Sequence, residues 1–380
     1  MKKYFQSIAT LVGTIIGVGM FAVPYVVSKA GIVFFLIYLP VLAFVEYYLL
    51  KLYAEIVLST KGYSRMPGYA SKYIGRASKP FVLCISTISN FGSILAYIII
   101  GGIFLHALLG PALGGSIFMY TTIFFAFESF VVLFGLNFIS SVEVYMTSLL
   151  ILIVGLIVYK TGAHIDLANY KALDWSLVAL PYGPIFFAVG GLAAIPEICR
   201  LLENDQKKIK DAIGIGVLVS AIIIFIFVIA VVGVTGTLTT TDALVGLNTV
   251  FGSELVKIAL VFGLLVVATS FLTIAQAQRE VFWWDLKLNT IFAWVLACGI
   301  PYVLFICGIQ NLAKVVSVSG AISGGLGGIV LILIGLSVKK KREKKSVIEN
   351  KINIPIAIVL SILFILGLLY EVWAVFFNGF

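Results

Sequence analysis

The residues in this 380-residue chain most able to do chemistry are glycines and prolines set inside apolar runs. The first set is Gly13-Thr14-Ile15-Ile16-Gly17-Val18-Gly19-Met20-Phe21-Ala22-Val23-Pro24, and an echo follows at Phe187-Ala188-Val189-Gly190-Gly191-Leu192-Ala193-Ala194-Ile195-Pro196. Gly19 stands five residues before Pro24, and Gly191 five before Pro196. In a helix interior glycine costs about 1 kcal/mol and proline about 3 relative to alanine, so each stretch predicts an interrupted helix. Lipid cannot satisfy an opened backbone, so such a break must be buried in protein or face a watery cavity. A break also creates ends. The N-terminal end of a half-helix presents unpaired N–H groups and partial positive charge, which suit a carboxylate. The carbonyls freed on the other side suit an ammonium group or a small cation. Two breaks side by side therefore match the two charges of an α-amino acid. The competing reading is that the glycines only let helices pack closely, as Gly13-x-x-x-Gly17 would allow. Paired interruptions in two halves of one chain favour a secondary transporter.

The elements that must carry these breaks are membrane helices. Hydrophobic residues make up 61% of the chain and charged residues 11%, and the mean hydropathy is +1.14. Soluble domains carry roughly 25% charged residues, so a polytopic membrane protein is expected. A span needs about 20 apolar residues. About eleven runs qualify, near 6–28, 31–58, 80–109, 116–136, 139–160, 176–201, 211–236, 254–278, 288–309, 313–337 and 353–377. With the N-terminus cytoplasmic, 21 of the 26 Lys and Arg residues fall inside and 5 outside. That asymmetry orients the chain with its C-terminus outside, as a multi-pass protein of the cell (plasma) membrane. The net charge of +9 is spent in these loops and gives no reason to expect nucleic acid. The cysteines show no metal-ligand spacing. Spans one to five and six to ten make two five-helix halves. Because five is odd, the second half enters from the opposite side and the repeat is inverted. The expected organisation is a single domain over 1–380, with repeat one about 1–160, repeat two about 171–338 and an extra helix at 353–377. Segment 279–287, rich in aromatic and charged residues, predicts a helix lying at the interface.

The 13–24 stretch resembles the opening motif of the amino acid/auxin permease family and its bacterial tryptophan/tyrosine permease relatives. Phe187 to Glu197 resembles that group's sixth-helix motif, including the Pro-Glu ending. The resemblance implies an all-α membrane protein of the amino acid–polyamine–organocation superfamily. Its fold would be the leucine-transporter-type 5+5 inverted repeat, with about eleven helices, helices one and six broken, and an extra helix eleven. It implies a permease rather than an enzyme, moving an amino acid by alternating access as a cation symport. On that resemblance the substrate carboxylate meets Gly17, Val18 and Gly19, with Thr14 beside them. The ammonium meets the carbonyls of Phe187, Ala188 and Val189, with Gly190 completing the break, and Phe186 or Phe187 lids the pocket. A sodium site would use the carbonyls of Gly13, Ile16 and Val266 and the hydroxyls of Thr269 and Ser270.

Some members of the group it resembles are proton-coupled and place a lysine in span five; this span has none before Lys160, so the resemblance favours sodium, which accepts neutral oxygens, over the proton as coupling ion. The competing reading of Thr269 and Ser270 is that both hydroxyls bond back to the preceding turn. No other cofactor, and no obligate protein partner, is expected beyond the amino acid and the bilayer. Asn90, Ser93 and Tyr97 share a face of span three, where Tyr97 or Asn90 could touch substrate. Carboxylates inside spans are costly and often functional, which singles out Glu46, Glu128, Glu143 and Glu197, each with a structural alternative. Other readings remain: an amino-acid sensor on a transporter fold, or a uniporter or exchanger for another small organic cation or zwitterion. Neither a His-Glu-x-x-His, a Gly-x-Ser-x-Gly nor a phosphate loop is present to support an enzyme.

Overall fold

The computed structural model describes residues 2–62, 64–134, 139–171, 173–203, 205–247, 253–341 and 352–377. The described residues form helices joined by short connections, with one isolated bridge between Gly31 and Leu173. Among the described residues eight helices are long and apolar enough to cross a membrane, a bent pair makes a ninth crossing, and two shorter apolar helices lie at 147–162 and 290–306. These are the eleven segments expected, and the chain is an all-helical, multi-pass membrane protein.

The first span is the bent pair. It comprises α1 (Lys2–Ile15) and α2 (Val18–Ala30), set at 45° across Ile16 and Gly17. Gly31, at φ 118°, turns the chain directly into α3 (Ile32–Leu58). A short α4 (Met66–Tyr73) follows at the end of the bundle where α1 begins. Then come α5 (Ser78–Leu113), α6 (Ile117–Phe134) and α7 (Ile139–Gly162). At 36 residues α5 is longer than a bilayer needs, about 54 Å at 1.5 Å per residue, so it tilts or projects. The sixth span is α8 (Tyr182–Val189), a turn at Leu192–Ala194, and α9 (Ile195–Leu201). The remainder is α10 (Gln206–Thr235), α11 (Ser253–Glu280), α12 (Thr290–Ile306), α13 (Leu312–Gly320), α14 (Gly327–Lys341) and α15 (Ile354–Phe377).

The first span is central. Val12, Ile15, Ile16, Val18, Met20, Phe21 and Val23 are all buried. α1 packs on α7, α9 and α10, while α2 packs on α8 and α10. α15 is peripheral, with Ile354, Val359 and Leu366 exposed as lipid-facing residues should be. Two π-helical turns interrupt regular helix, at Val281–Asp285 and Ala321–Leu326. The first corrects an expectation. Segment 279–287 is not a separate surface helix but the tail of α11, with Val281 and Phe282 buried under α12. A wider turn lets the span continue while turning these two side chains inward.

Candidate functional site

Both glycine-rich stretches break their helices, but not at equivalent glycines. In the first span the break is Ile16–Gly17, and Pro24 lies within intact α2. In the sixth it is Gly190–Gly191, and Pro196 sits in the first turn of α9, where its missing N–H costs nothing. The matching five-residue Gly–Pro spacings thus join unlike positions, since Gly19 is inside α2 and Gly191 is in the break. The donors shift accordingly. The Gly17 N–H is taken by the Ile15 carbonyl at 3.0 Å. Val18 and Gly19 occupy the first two positions of α2, where helix geometry supplies no acceptor.

Between the breaks lies a cavity of about 130 Å³. Thr14, Gly17, Tyr97, Phe186, Phe187 and Gly190 line it, as do Glu46, Asn90 and Ser93. Val18, Gly19, Ala188 and Val189 are not among its lining residues. A Cβ on Gly19 would stand 2.5 Å from the Ala188 Cα. Gly19 is therefore where α2 and α8 cross in backbone contact, the close-packing role that glycine also serves. A Cβ on Gly17 would instead meet the Tyr97 hydroxyl at 2.9 Å and the Ser270 Oγ at 3.2 Å. The aromatic wall is fixed from behind. Phe186 packs against Tyr182 and Phe364, its ring centroid 5.7 Å from each, and it fills the space a side chain at Gly324 would need. Ser323, Gly324 and Gly327 bring the π turn before α14 onto the cavity.

The expected sodium ligands are only partly assembled. The Ser270 hydroxyl is buried, bonds no backbone carbonyl, and faces Gly17 beside the Tyr97 hydroxyl. Thr269 donates its hydroxyl to the Val266 carbonyl at 3.0 Å, so two of the five expected ligands are bonded to each other. Gly13 faces Thr147 of α7, whose Oγ1 lies 3.3 Å from where a Cβ would stand.

Several polar contacts at the cavity were not evident from sequence. Glu46 of α3 accepts a hydrogen bond from the Gly191 N–H at 2.9 Å. The polar face of α5 runs further than Asn90, Ser93 and Tyr97, adding Ser86 and Ser89 at helical spacing, which a longer count of that face would have found. Asn90 donates to Gln278 at 2.8 Å, and Gln278 donates to Thr87 at 3.1 Å. A recess shares Met66, Ser86, Asn90, Leu192 and Ala193 with the cavity and ends at Arg65. Arg65 also lines a surface pocket with Glu197, Glu280 and Trp283. Its guanidinium donates to Glu280 at 2.7 Å and to the Ala193 carbonyl at 3.2 Å, so one side chain stands between the cavity and the N-terminal end of the bundle. Burial works against its charge, but Glu280, with Tyr53, more than offsets this and holds Arg65 above the ordinary arginine range. Of the remaining carboxylates, Glu128 is buried on α6, and Glu197 pairs with Arg200 at 2.6 Å. The Glu143 side chain lies outside the described residues. Glu371 of α15, which the sequence did not single out, accepts the Gly183 N–H at 2.9 Å at the start of α8.

Residues 1–373 match the tryptophan/tyrosine permease family. The chain belongs to that family. The family is one of permeases, and the chain's helices are those of a membrane protein. A curated relative, tyrosine-specific transport system 1 of Haemophilus influenzae, is 25% identical over 221 residues, 57% of this chain and 54% of the relative. The match thus spans about half that relative's length. Among solved structures the permease superposes on Mhp1, a nucleobase-cation-symport-1 family transporter, closed with bromovinylhydantoin bound. The TM-score is 0.68 at 12% identity, covering 98% of this chain and 91% of that one. MhsT in complex with L-phenylalanine gives a TM-score of 0.68 at 14% identity, covering 98% of both chains. The chain therefore has the leucine-transporter-type fold, with spans one and six broken and span eleven added.

Proposed function

We propose that this permease is a secondary active transporter of aromatic amino acids, working by alternating access and coupled to a cation. The observation that carries the reading is the cavity bounded by both broken helices. One side is Gly17 at the start of α2, another is Phe186, Phe187 and Gly190 at the end of α8, and Tyr97 joins the two phenylalanines in an aromatic wall. Amides suit the carboxylate, carbonyls the ammonium, and the rings an aromatic side chain. The names of the relatives point the same way: one is a tyrosine-specific system, and another holds L-phenylalanine. The chain would function as one domain in the cytoplasmic membrane, its repeats near 1–160 and 171–338. The distribution of lysine and arginine supports a cytoplasmic N-terminus and an outside C-terminus. The Arg65 end of the cavity then faces the cytoplasm. Sodium is the favoured coupling ion, because the Ser270 hydroxyl beside Gly17, bonded to no backbone carbonyl, suits a neutral-oxygen site. Uptake of labelled tyrosine, tryptophan and phenylalanine into proteoliposomes, under separately imposed sodium and proton gradients, tests all of this. Accumulation of none of the three would end the proposal, and accumulation under a proton gradient alone would end its sodium part.

A further inference from the structure

The cavity contains one carboxylate, and nothing in the transport reading so far uses it. Glu46 lies within α3, an unbroken 27-residue helix that packs on both halves of the broken sixth span. Its side chain is 1% exposed and lines the cavity with Thr14, Gly17 and Tyr97. One oxygen accepts the Gly191 N–H at 2.9 Å, which fixes the acid against the break. Among the described residues lining this cavity there is no lysine, arginine or histidine. A carboxylate removed from water is costly, and a single amide donor offsets only part of that cost. A positive group arriving in the cavity would supply the rest. The geometry is also polar in the right sense. The amide end of α2 is the positive pole of the site and Glu46 is its negative pole.

We propose that Glu46 is the cation-receiving group of the cavity, taking a small positive charge on its carboxylate beside the Gly191 amide. The inference rests on the transporter reading, and the charge can come from the substrate's own ammonium group or from the coupling cation. It adds a formal negative charge to a site otherwise described by backbone carbonyls and hydroxyls alone.

Binding to purified protein separates the sources. The probes are tyrosine and 3-(4-hydroxyphenyl)propionate, which lacks the ammonium group, each with and without sodium. Glu46→Gln keeps a carbonyl oxygen for the Gly191 N–H and removes only the charge. Glu46→Asp keeps the charge on a shorter arm. If the ammonium is received, Glu46→Gln weakens tyrosine about tenfold to a hundredfold, the range for a lost charge-assisted hydrogen bond, and leaves the propionate unchanged. If the coupling cation is received, both probes weaken together and their sodium dependence disappears. In either case Glu46→Asp retains more of the parent's behaviour than Glu46→Gln. Parent-like tyrosine affinity and sodium dependence in Glu46→Gln would overturn the proposal. So would equal damage in both variants for both probes with sodium dependence intact, since that marks a purely structural acid. A parent protein that takes up no aromatic amino acid refutes the transport reading instead, and is seen before either variant is made.

Discussion

Gly17 and Gly19 lie two residues apart, and the same substitution should do opposite things at each. A methyl at Gly19 would stand 2.5 Å from the Ala188 Cα and 2.9 Å from its amide nitrogen. Both are backbone atoms, so relief requires α2 and α8 to move apart. Overpacking of this kind costs about 1–3 kcal/mol. A methyl at Gly17 meets the Tyr97 hydroxyl at 2.9 Å and the Ser270 hydroxyl at 3.2 Å, the ends of side chains that can swing by a few tenths of an ångström. Gly17 also has φ −126°, outside the positive-φ region that favours glycine. Gly17→Ala should therefore melt close to the parent. It places a methyl between two cavity groups, however, and displaces Tyr97 from the break. A loss of about 1.4 kcal/mol there lowers substrate affinity about tenfold. Gly19→Ala should melt lower, with affinity in the surviving folded fraction reduced less than in Gly17→Ala. The assay is a pair of thermal melts in detergent with tyrosine-binding isotherms on the same preparations. If Gly19→Ala melts like the parent, or Gly17→Ala binds like it, the assignment of one glycine to packing and the other to the cavity is wrong. A leucine at Gly19 is, on this geometry, a probe of folding rather than of the pocket.

Ser270→Ala should abolish sodium dependence of uptake, whereas Thr269→Ala should reduce it less, because only the Ser270 hydroxyl is free of a backbone acceptor; equal effects would contradict this. Arg65→Ala should open the cavity toward the N-terminal end, so that a cysteine placed at Ser86, in a background lacking the exposed Cys84 and Cys307, reacts faster with a membrane-impermeant thiol reagent from that side; an unchanged rate would show that Arg65 blocks nothing. Asn90→Ala leaves the fully buried Gln278 acceptor unpaired and should cost about 1–3 kcal/mol of stability, read as a lower melting temperature, while Asn90→Ser should cost less.

The membrane class and the number of spans were legible because bilayer thickness imposes a length that composition reveals directly. The breaks were legible too, since glycine and proline act locally. Their register was not. Whether Gly19 or Gly17 leaves the helix depends on Ala188, which is distant in sequence and touches Gly19 only once α2 and α8 cross. The long-range polar contacts were hidden for the same reason. Glu46 stood out as a carboxylate inside a span, but nothing local names Gly191 as its donor. Arg65 reads as one more basic loop residue until the fold brings the turn before α9 and the end of α11 to it.

The two breaks also differ in how they are held, and this bears on which one moves. In the sixth span the Gly191 amide is fixed by Glu46 from α3, and the Ala193 carbonyl by Arg65 from the loop before α4. Two long-range side chains thus grip peptide groups two residues apart at one break. In the first span the Gly17 amide returns to Ile15 of its own chain, and the Gly17 carbonyl accepts from Met20 at 3.2 Å. The first break is thus restrained by its own turn and by apolar packing, and changing its bend requires no tertiary hydrogen bond of its peptide groups to break. Interfaces held by apolar packing can slide where paired buried polar groups resist separation. The 45° bend between α1 and α2 is therefore the natural hinge of the site. On the alternating-access reading proposed above, the sixth break is the wall and α1 the arm expected to move, with the Thr147 hydroxyl bond to the Ala9 carbonyl, 3.2 Å long, as the contact that has to give.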